Sequence, residues 1–191
     1  MIQATEKERA RAVNLITETF DANPSVNIVI GDGGNRKKKI SRLADYAFTK
    51  ALNRNGSFLS SNSEGVALCF KSNEGKSNLK EILYEIKFAF SIPPKKVFQT
   101  LGRESYLKKH RYKGEHLYFW FLGVTKSGGQ AVYELKDQIF NWSDEAKLPI
   151  LLETSVPRNR DVYLRYGFEI YHTWEDSGGG APLWFMIRYP K

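Results

Sequence analysis

Pro149-Ile150-Leu151-Leu152-Glu153-Thr154-Ser155-Val156-Pro157-Arg158-Asn159, continued by Tyr163-Leu164-Arg165-Tyr166-Gly167-Phe168-Glu169, is the stretch whose reading decides the fold. Pro149 to Glu153 reads as a short buried strand, roughly Arg158 to Tyr166 as a helix, and Phe168 to Trp174 as a second strand. Upstream, Leu117-Tyr118-Phe119-Trp120-Phe121-Leu122-Gly123-Val124 is a near-continuous apolar run of strand length, the pattern of a central strand buried on both faces. A glycine-containing loop, Lys126-Ser127-Gly128-Gly129, then leads into a helix with Val132, Leu135, Ile139, Trp142 and Ala146 on one side. Strand, loop, helix and strand in that order imply a right-handed crossover and a locally parallel pair. A Ser177-Gly178-Gly179-Gly180 loop and a last strand, Leu183 to Tyr189, complete this third of the chain.

The first half is mostly helical. Thr5-x-x-Glu8 has the form of a capping box, and Val13, Ile16 and Phe20 follow at helical spacing. From Arg36 to about Asn53 the set Ile40, Leu43, Ala44, Ala47, Phe48, Ala51 and Leu52 gives the clearest helix, closed by Asn55-Gly56. Ser57 to Ser60 and Val66 to Phe70 read as strands around a turn at Ser61 to Gly65. Asn78 caps a further helix with Leu79, Ile82, Leu83, Ile86 and Phe90 along one side. Pro93-Pro94 breaks it, and Pro94 opens another helix carrying Val97, Phe98 and Leu101 and ending before Gly114. Val26 to Ile30, Gly31-Asp32-Gly33-Gly34 and the lysine-rich helix after them imitate a nucleotide-binding strand-loop-helix. They match neither G-x-x-x-x-G-K-[ST] nor G-x-G-x-x-G, so Gly31 to Gly34 reads as a flexible connection between the first two helices. The class is α/β with a mixed sheet flanked by helices.

A length of 191 residues suits one domain, 1–191. With 41% hydrophobic and 26% charged residues, the chain can bury enough apolar surface to offset its entropy. No apolar run approaches the roughly 20 residues of a membrane span, and Met1 to Glu6 lacks a secretory pattern, so a cytoplasmic protein with no membrane partner is expected. Cys69 has no second thiol with which to pair or to share a metal, and it reads as a buried apolar residue; no metal is expected. The net charge of +8 invites a nucleic-acid partner. Its distribution argues otherwise, because Lys37 to Lys39, Lys95-Lys96 and Lys108 to Arg111 form separate clusters that read as solvated helix faces or charges near helix ends.

The quoted stretch resembles the GNAT acetyltransferases, most closely the branch containing puromycin N-acetyltransferase. There Leu-Glu-Thr-Ser-x-x-Arg-Asn-x-x-x-Tyr-x-Arg-x-Gly-Phe covers a strand, a helix and the start of the next strand. Trp184-x-Met186 has the look of the same branch. The resemblance is strong from His116 onward, weak over the first 70 residues and absent between about Leu79 and Gly114. It implies a GNAT fold and an N-acetyltransferase that moves an acetyl group from acetyl-CoA to a primary amine of a small or amino-acid-like acceptor. The strand ending Leu122-Gly123-Val124 would pair its backbone with the pantetheine arm, using a splay between it and Ile150 to Thr154. Lys126, Ser127, Gly128, Gly129, Gln130 and Ala131 would hold the pyrophosphate, Asn159 would bond the pantetheine or nearby backbone, and Tyr163 would protonate the departing thiolate. A phenol is protonated at neutral pH and can do so, although a packed helix tyrosine is the plainer reading of the residue alone. The family loop, Gln/Arg-x-x-Gly-x-Gly/Ala, is about two residues longer than the loop here, and Val132 or a neighbour stands where it prefers glycine.

The amine must also lose a proton. Glu153, at the end of one buried strand, and His116 or Tyr118, alternating on the other, are the candidate bases, with Glu115 a weaker one and a water relay an alternative. The altered loop keeps open a second reading, a GNAT-like binding module that no longer catalyses. A third, more distant reading is a phosphate- or nucleic-acid-binding protein using the basic clusters. The sequence permits a homodimer without requiring one.

Overall fold

The computed structural model describes residues 2–31, 33–75, 77–175 and 182–191. Among these the strands are β1 (Ile2–Gln3), β2 (Ser57–Leu59), β3 (Gly65–Lys71), β4 (Leu117–Val124), β5 (Ile150–Thr154), β6 (Glu169–Trp174) and β7 (Leu183–Arg188). The helices are α1 (Arg9–Thr19), α2 (Pro24–Ile30), α3 (Arg36–Leu52), α4 (Leu79–Ala89), α5 (Pro94–His110), α6 (Gly129–Ala146) and α7 (Pro157–Arg165). The strands form one mixed sheet in the order β1-β2-β3-β4-β5-β7-β6. Only β4 and β5 run parallel, as the crossover through α6 requires. The expected Ser177 to Gly180 loop and Asp32 lie outside the described residues.

Two apolar layers cover the sheet. Leu15 and Ile16 of α1 and Ala47 and Phe48 of α3 pack with Leu68 and Phe70 on one face. Leu135 and Ile139 of α6 pack with Ala67, Leu117, Ile150 and Met186 on the other. Full burial of each large side chain stabilises by about 1.5–3 kcal/mol. α1 lies so close to β4 that a Cβ added at Gly123 would fall 2.3 Å from Thr19 Oγ1, so only glycine admits this approach.

The central pair is short. β4 and β5 align at Leu117–Ile150 and Tyr118–Leu151 and then part, while β4 continues to pair with β3 as far as Val124. The β3–β4 register shifts between Leu68, opposite Phe121, and Cys69, opposite Phe119, so Trp120 forms a bulge that bends β4 at the point of separation.

Two expectations need correction. Val26 to Ile30 is not strand-like, because Asn23 Oδ1 accepts from the Val26 N–H at 3.2 Å, Pro24 presets the first turn, and Val26 and Ile30 are buried, which together make a helix. β4 is not buried on both faces: Tyr118, Trp120 and Leu122 are half-buried and face a cavity. The apolar side of α4 is exposed at Leu79, Ile82, Leu83, Ile86 and Phe90, whereas Glu81 and Phe88 are buried. Glu81 tolerates burial because Arg54 (2.8 Å), Asn53 (3.0 Å) and Ser77 (3.2 Å) donate to it. Two of the basic clusters place charge at helix C-terminal ends, one of the two placements expected of them. Lys39 is buried, with Nζ donating to Ile30 O (3.3 Å) and Gly33 O (2.6 Å) at the C-terminal end of α2, and Arg111 is bound to Glu153.

Candidate active site

Where β4 and β5 separate, two cavities meet. The larger, about 470 Å³, is walled by α2, α4 and α5 and floored by Tyr118 to Leu122 and Leu152 to Ser155. The smaller, about 220 Å³, lies between α6 and α7, against Val124, Val132, Lys136, Phe140, Val162 and Tyr166. Phe119, Leu122, Asn159 and Tyr163 line both. Strand separation therefore opens a passage through the sheet, and α7, set by Pro157 at its first turn, presents Asn159 and Tyr163 to it.

Tyr163 packs its ring against Phe168, centroids 5.4 Å apart, and burial pushes its phenol up to about 12. The hydroxyl makes no hydrogen bond to another described residue.

The base candidates fall into two groups. Arg111 Nε and Nη2 each lie 2.9 Å from Glu153 Oε1, Nη2 also donates to the Tyr118 hydroxyl at 3.1 Å, and that hydroxyl donates to Glu153 Oε2 at 2.8 Å. The guanidinium also stacks 4.1 Å from the Tyr118 ring centroid. Burial works against the Arg111 charge, but Tyr118 and Glu153 outweigh it and hold the cation firmly protonated. Burial drives the Tyr118 phenol far up, so it stays a donor. Glu153 and Tyr118 thus face the cavity as one bonded unit. His116 stands apart, buried at the start of β4 and outside the cavity lining, with Nδ1 2.7 Å from Gly114 O; burial lowers its pKa. Glu115 is exposed, accepting from Asn73 Nδ2 at 2.6 Å.

The sequence reading passed over several cavity groups. Half-buried Glu104 lines the cavity with no hydrogen bond or ion pair among the described residues. Lys50 lies across from it, 5.2 Å from the Trp120 ring centroid, its pKa lowered by burial. The Thr100 hydroxyl, also in this wall, is buried without a partner among the described residues. Ser25 Oγ is 2.9 Å from Ser155 Oγ and ties α2 to the loop after β5. No local spacing marks these residues; the charges at Lys50 and Glu104 within helical patterns were the available signal.

The loop expected to take a pyrophosphate has suitable donors. Gly128 and Ala131 N–H groups are used within it, donating to Thr125 O and Gly128 O at 2.9 Å, whereas those of Lys126, Ser127, Gly129 and Gln130 have no protein acceptor among the described residues. These last open the N-terminus of α6, where an anion is favoured, and Lys126 adds charge. One feature opposes an anion: Ser127 Oγ donates to Glu64 Oε1 at 2.8 Å, bringing a carboxylate to the loop. A Cβ at Gly129 would meet nothing within 4 Å, so bulk there forces no backbone change; at Gly128 it would lie 3.1 Å from Glu64 O. Among the described residues no cluster of metal-binding side chains occurs, and no helix is long and apolar enough to cross a membrane.

A mixed sheet whose parallel central pair parts over a ligand-sized passage, with a donor-rich loop after the first of these strands, is the GNAT acetyltransferase fold. The histone acetyltransferase-related protein of Corynebacterium glutamicum superposes with a TM-score of 0.69 at 17% identity, over 100% of this chain and 95% of that one. Arylalkylamine N-acetyltransferase 2 of Aedes aegypti does so with a TM-score of 0.61 at 15% identity, over 100% and 98%. In sequence, an uncharacterized N-acetyltransferase of Schizosaccharomyces pombe is 36% identical over 80 residues, which is 39% of this chain; the match spans about a third (32%) of that protein's length. No family model matches the chain.

Proposed function

We propose that the chain is a single acyltransferase domain that moves an acetyl group from acetyl-CoA to a primary amine of a small molecule, in the manner of the puromycin N-acetyltransferase branch. The observation that carries the proposal is the junction of the two cavities at Phe119, Leu122, Asn159 and Tyr163. The α6–α7 cavity, leading from the donor-rich loop, suits the thioester arm; the larger cavity suits the acceptor. Amine nitrogen would attack the thioester carbonyl at the junction, forming the C–N bond as the C–S bond breaks. Tyr163 holds its proton at neutral pH and would deliver it to the sulfur. Of the two cavity carboxylates with no bonded partner among the described residues, Glu85 is exposed and Glu104 half-buried, and Glu104 fits the role of orienting the amine or taking its proton. Glu153 fits better as part of a bonded unit that shapes the site, and the small-molecule acceptor is supported by the volume of the larger cavity, about 470 Å³.

The Glu64 carboxylate beside Ser127 favours a second reading, a GNAT-like module that has lost effective cofactor binding. Calorimetric titration with acetyl-CoA, followed by a mass-spectrometric screen of amines for acetylation, separates the two. Binding and turnover support the enzyme; absence of binding at millimolar acetyl-CoA would favour the module.

A further inference from the structure

α4 faces the wrong way for a helix that only packs. Leu79, Ile82, Leu83, Ile86 and Phe90 share one side, and Leu79 is 86% and Phe90 88% exposed, while the opposite side carries buried Glu81 and Phe88. Beyond the turn at Ser91 to Pro93, α5 continues in the same manner with Phe98 75% and Leu101 59% exposed. Scattered exposed apolar residues need no explanation, but a whole helix side with two nearly bare phenylalanines marks an interaction surface.

The charges of these two helices are sorted. Glu81, Glu85, Glu104, Arg103 and Lys108 line the larger cavity. The charged residues that do not are all lysines: Lys80, Lys87, Lys95, Lys96 and Lys109. Lys80 is paired with Glu6 at 2.6 Å and the Lys96 stem packs over Gly31, which leaves Lys87, Lys95 and Lys109 as cations along an apolar surface from which the helices' carboxylates are turned away.

We propose that this α4–α5 surface lies on an anionic phospholipid bilayer, its apolar side chains at the boundary of headgroups and acyl chains and its lysines on the lipid phosphates. Apolar residues edged by lysine are what such a boundary selects, and each lysine near it adds attraction that salt weakens. A second copy of the chain fits less well, because a two-fold interface would set the same lysines against each other without carboxylates to match. The sequence led us to expect no membrane partner because it holds no spanning segment; a helix lying in the interface needs none. Leu101 is both exposed and part of the cavity lining, as is half-buried Ala89 of α4, so the cavity wall continues into this surface. Resting on the proposed acetyltransfer, this position would admit an amine with an apolar tail directly from the bilayer.

Co-sedimentation of the full chain with vesicles of phosphatidylcholine, alone or mixed with phosphatidylserine, tests the proposal. The chain should pellet with the mixed vesicles and much less with the neutral ones, and added salt should release it. Phe90→Ser with Phe98→Ser, and separately Lys95→Glu with Lys109→Glu, should each weaken partitioning roughly tenfold or more with an unchanged circular dichroism spectrum. Should the double phenylalanine variant fold poorly, Phe90→Ser alone and the lysine variant carry the test. Absence of pelleting with mixed vesicles overturns the proposal, as does a dimer in sedimentation velocity that Phe90→Ser abolishes, which would assign the surface to a second copy. Acetyl-CoA binding measured without vesicles reports on the catalytic reading separately, so either can fail alone.

Discussion

Replacing Arg111 with Met tests whether the charges at the separation of β4 and β5 form a true buried unit. The substitution keeps the length and apolar stem of the side chain but removes two donors at 2.9 Å from Glu153 and one at 3.1 Å from Tyr118. The side chains of Arg111 and Glu153 are 19% and 8% exposed, so solvent replaces little of what is lost. Glu153 retains the Tyr118 hydroxyl at 2.8 Å, a single neutral donor. Stranding one member of a buried pair costs about 3–5 kcal/mol, and the remaining bond puts the expectation near the lower end, about 3 kcal/mol at neutral pH. Urea unfolding reads the loss, and a double-mutant cycle with Tyr118→Phe isolates the coupling. A loss below about 1 kcal/mol would mean that the pair behaves like a solvated surface bridge, and the description of Glu153 as a bonded structural carboxylate would fail.

Tyr163→Phe should preserve fold and acetyl-CoA affinity and lower turnover roughly 10- to 1000-fold; unchanged turnover on an identified amine removes Tyr163 from the chemistry. Glu64→Gln should tighten acetyl-CoA binding several-fold, roughly the effect of removing one nearby like charge, with calorimetry as the measure; weaker binding would show the Ser127–Glu64 contact to be supporting the loop. Burial lowers the pKa of His116 from its usual 6.5, so the folded state prefers the neutral ring. The stability this contributes is complete above pH 6.5 and is lost as pH falls from there through the folded value, and His116→Gln should flatten that part of the stability–pH curve. An unchanged curve would mean that another group sets the slope.

Most of the fold was legible because its signals are local. Thr5 and Glu8 make the reciprocal capping bonds that their spacing announces, Asn78 caps α4 through the Glu81 N–H, and the Leu117 to Val124 run is β4. Periodicity fails where the question is which side of a helix is covered: α4 has two distinct sides, and pairing with Arg54 lets the one bearing Glu81 be buried. α2 was hidden because Val26 to Ile30 is as apolar as a strand, and Asn23-Pro24 was the cue that distinguished them. At the candidate site, the motif placed Asn159 and Tyr163 on one helix beside the strand separation. The bond between Glu153 and Arg111 spans 42 residues, and the other cavity glutamates, Glu81, Glu85 and Glu104, come from helices in the stretch where family resemblance is absent.

The brevity of the β4–β5 alignment also bears on motion. Between these strands the backbone is joined at Leu117–Ile150 and Tyr118–Leu151, so β1 to β4 and β5 to β7 are two half-sheets sharing a hinge. The Tyr118–Glu153–Arg111 unit fastens one half to the other at that hinge, with Tyr118 on β4, Glu153 on β5 and Arg111 just past α5. Amides of Phe119 to Val124 that face β5 lack its ladder, and native-state hydrogen exchange should find them opening more readily than those facing β3. The width of the passage would then be governed by the strength of one buried fastening, and breathing of the two halves would set how fast a long, flexible ligand can thread through the sheet.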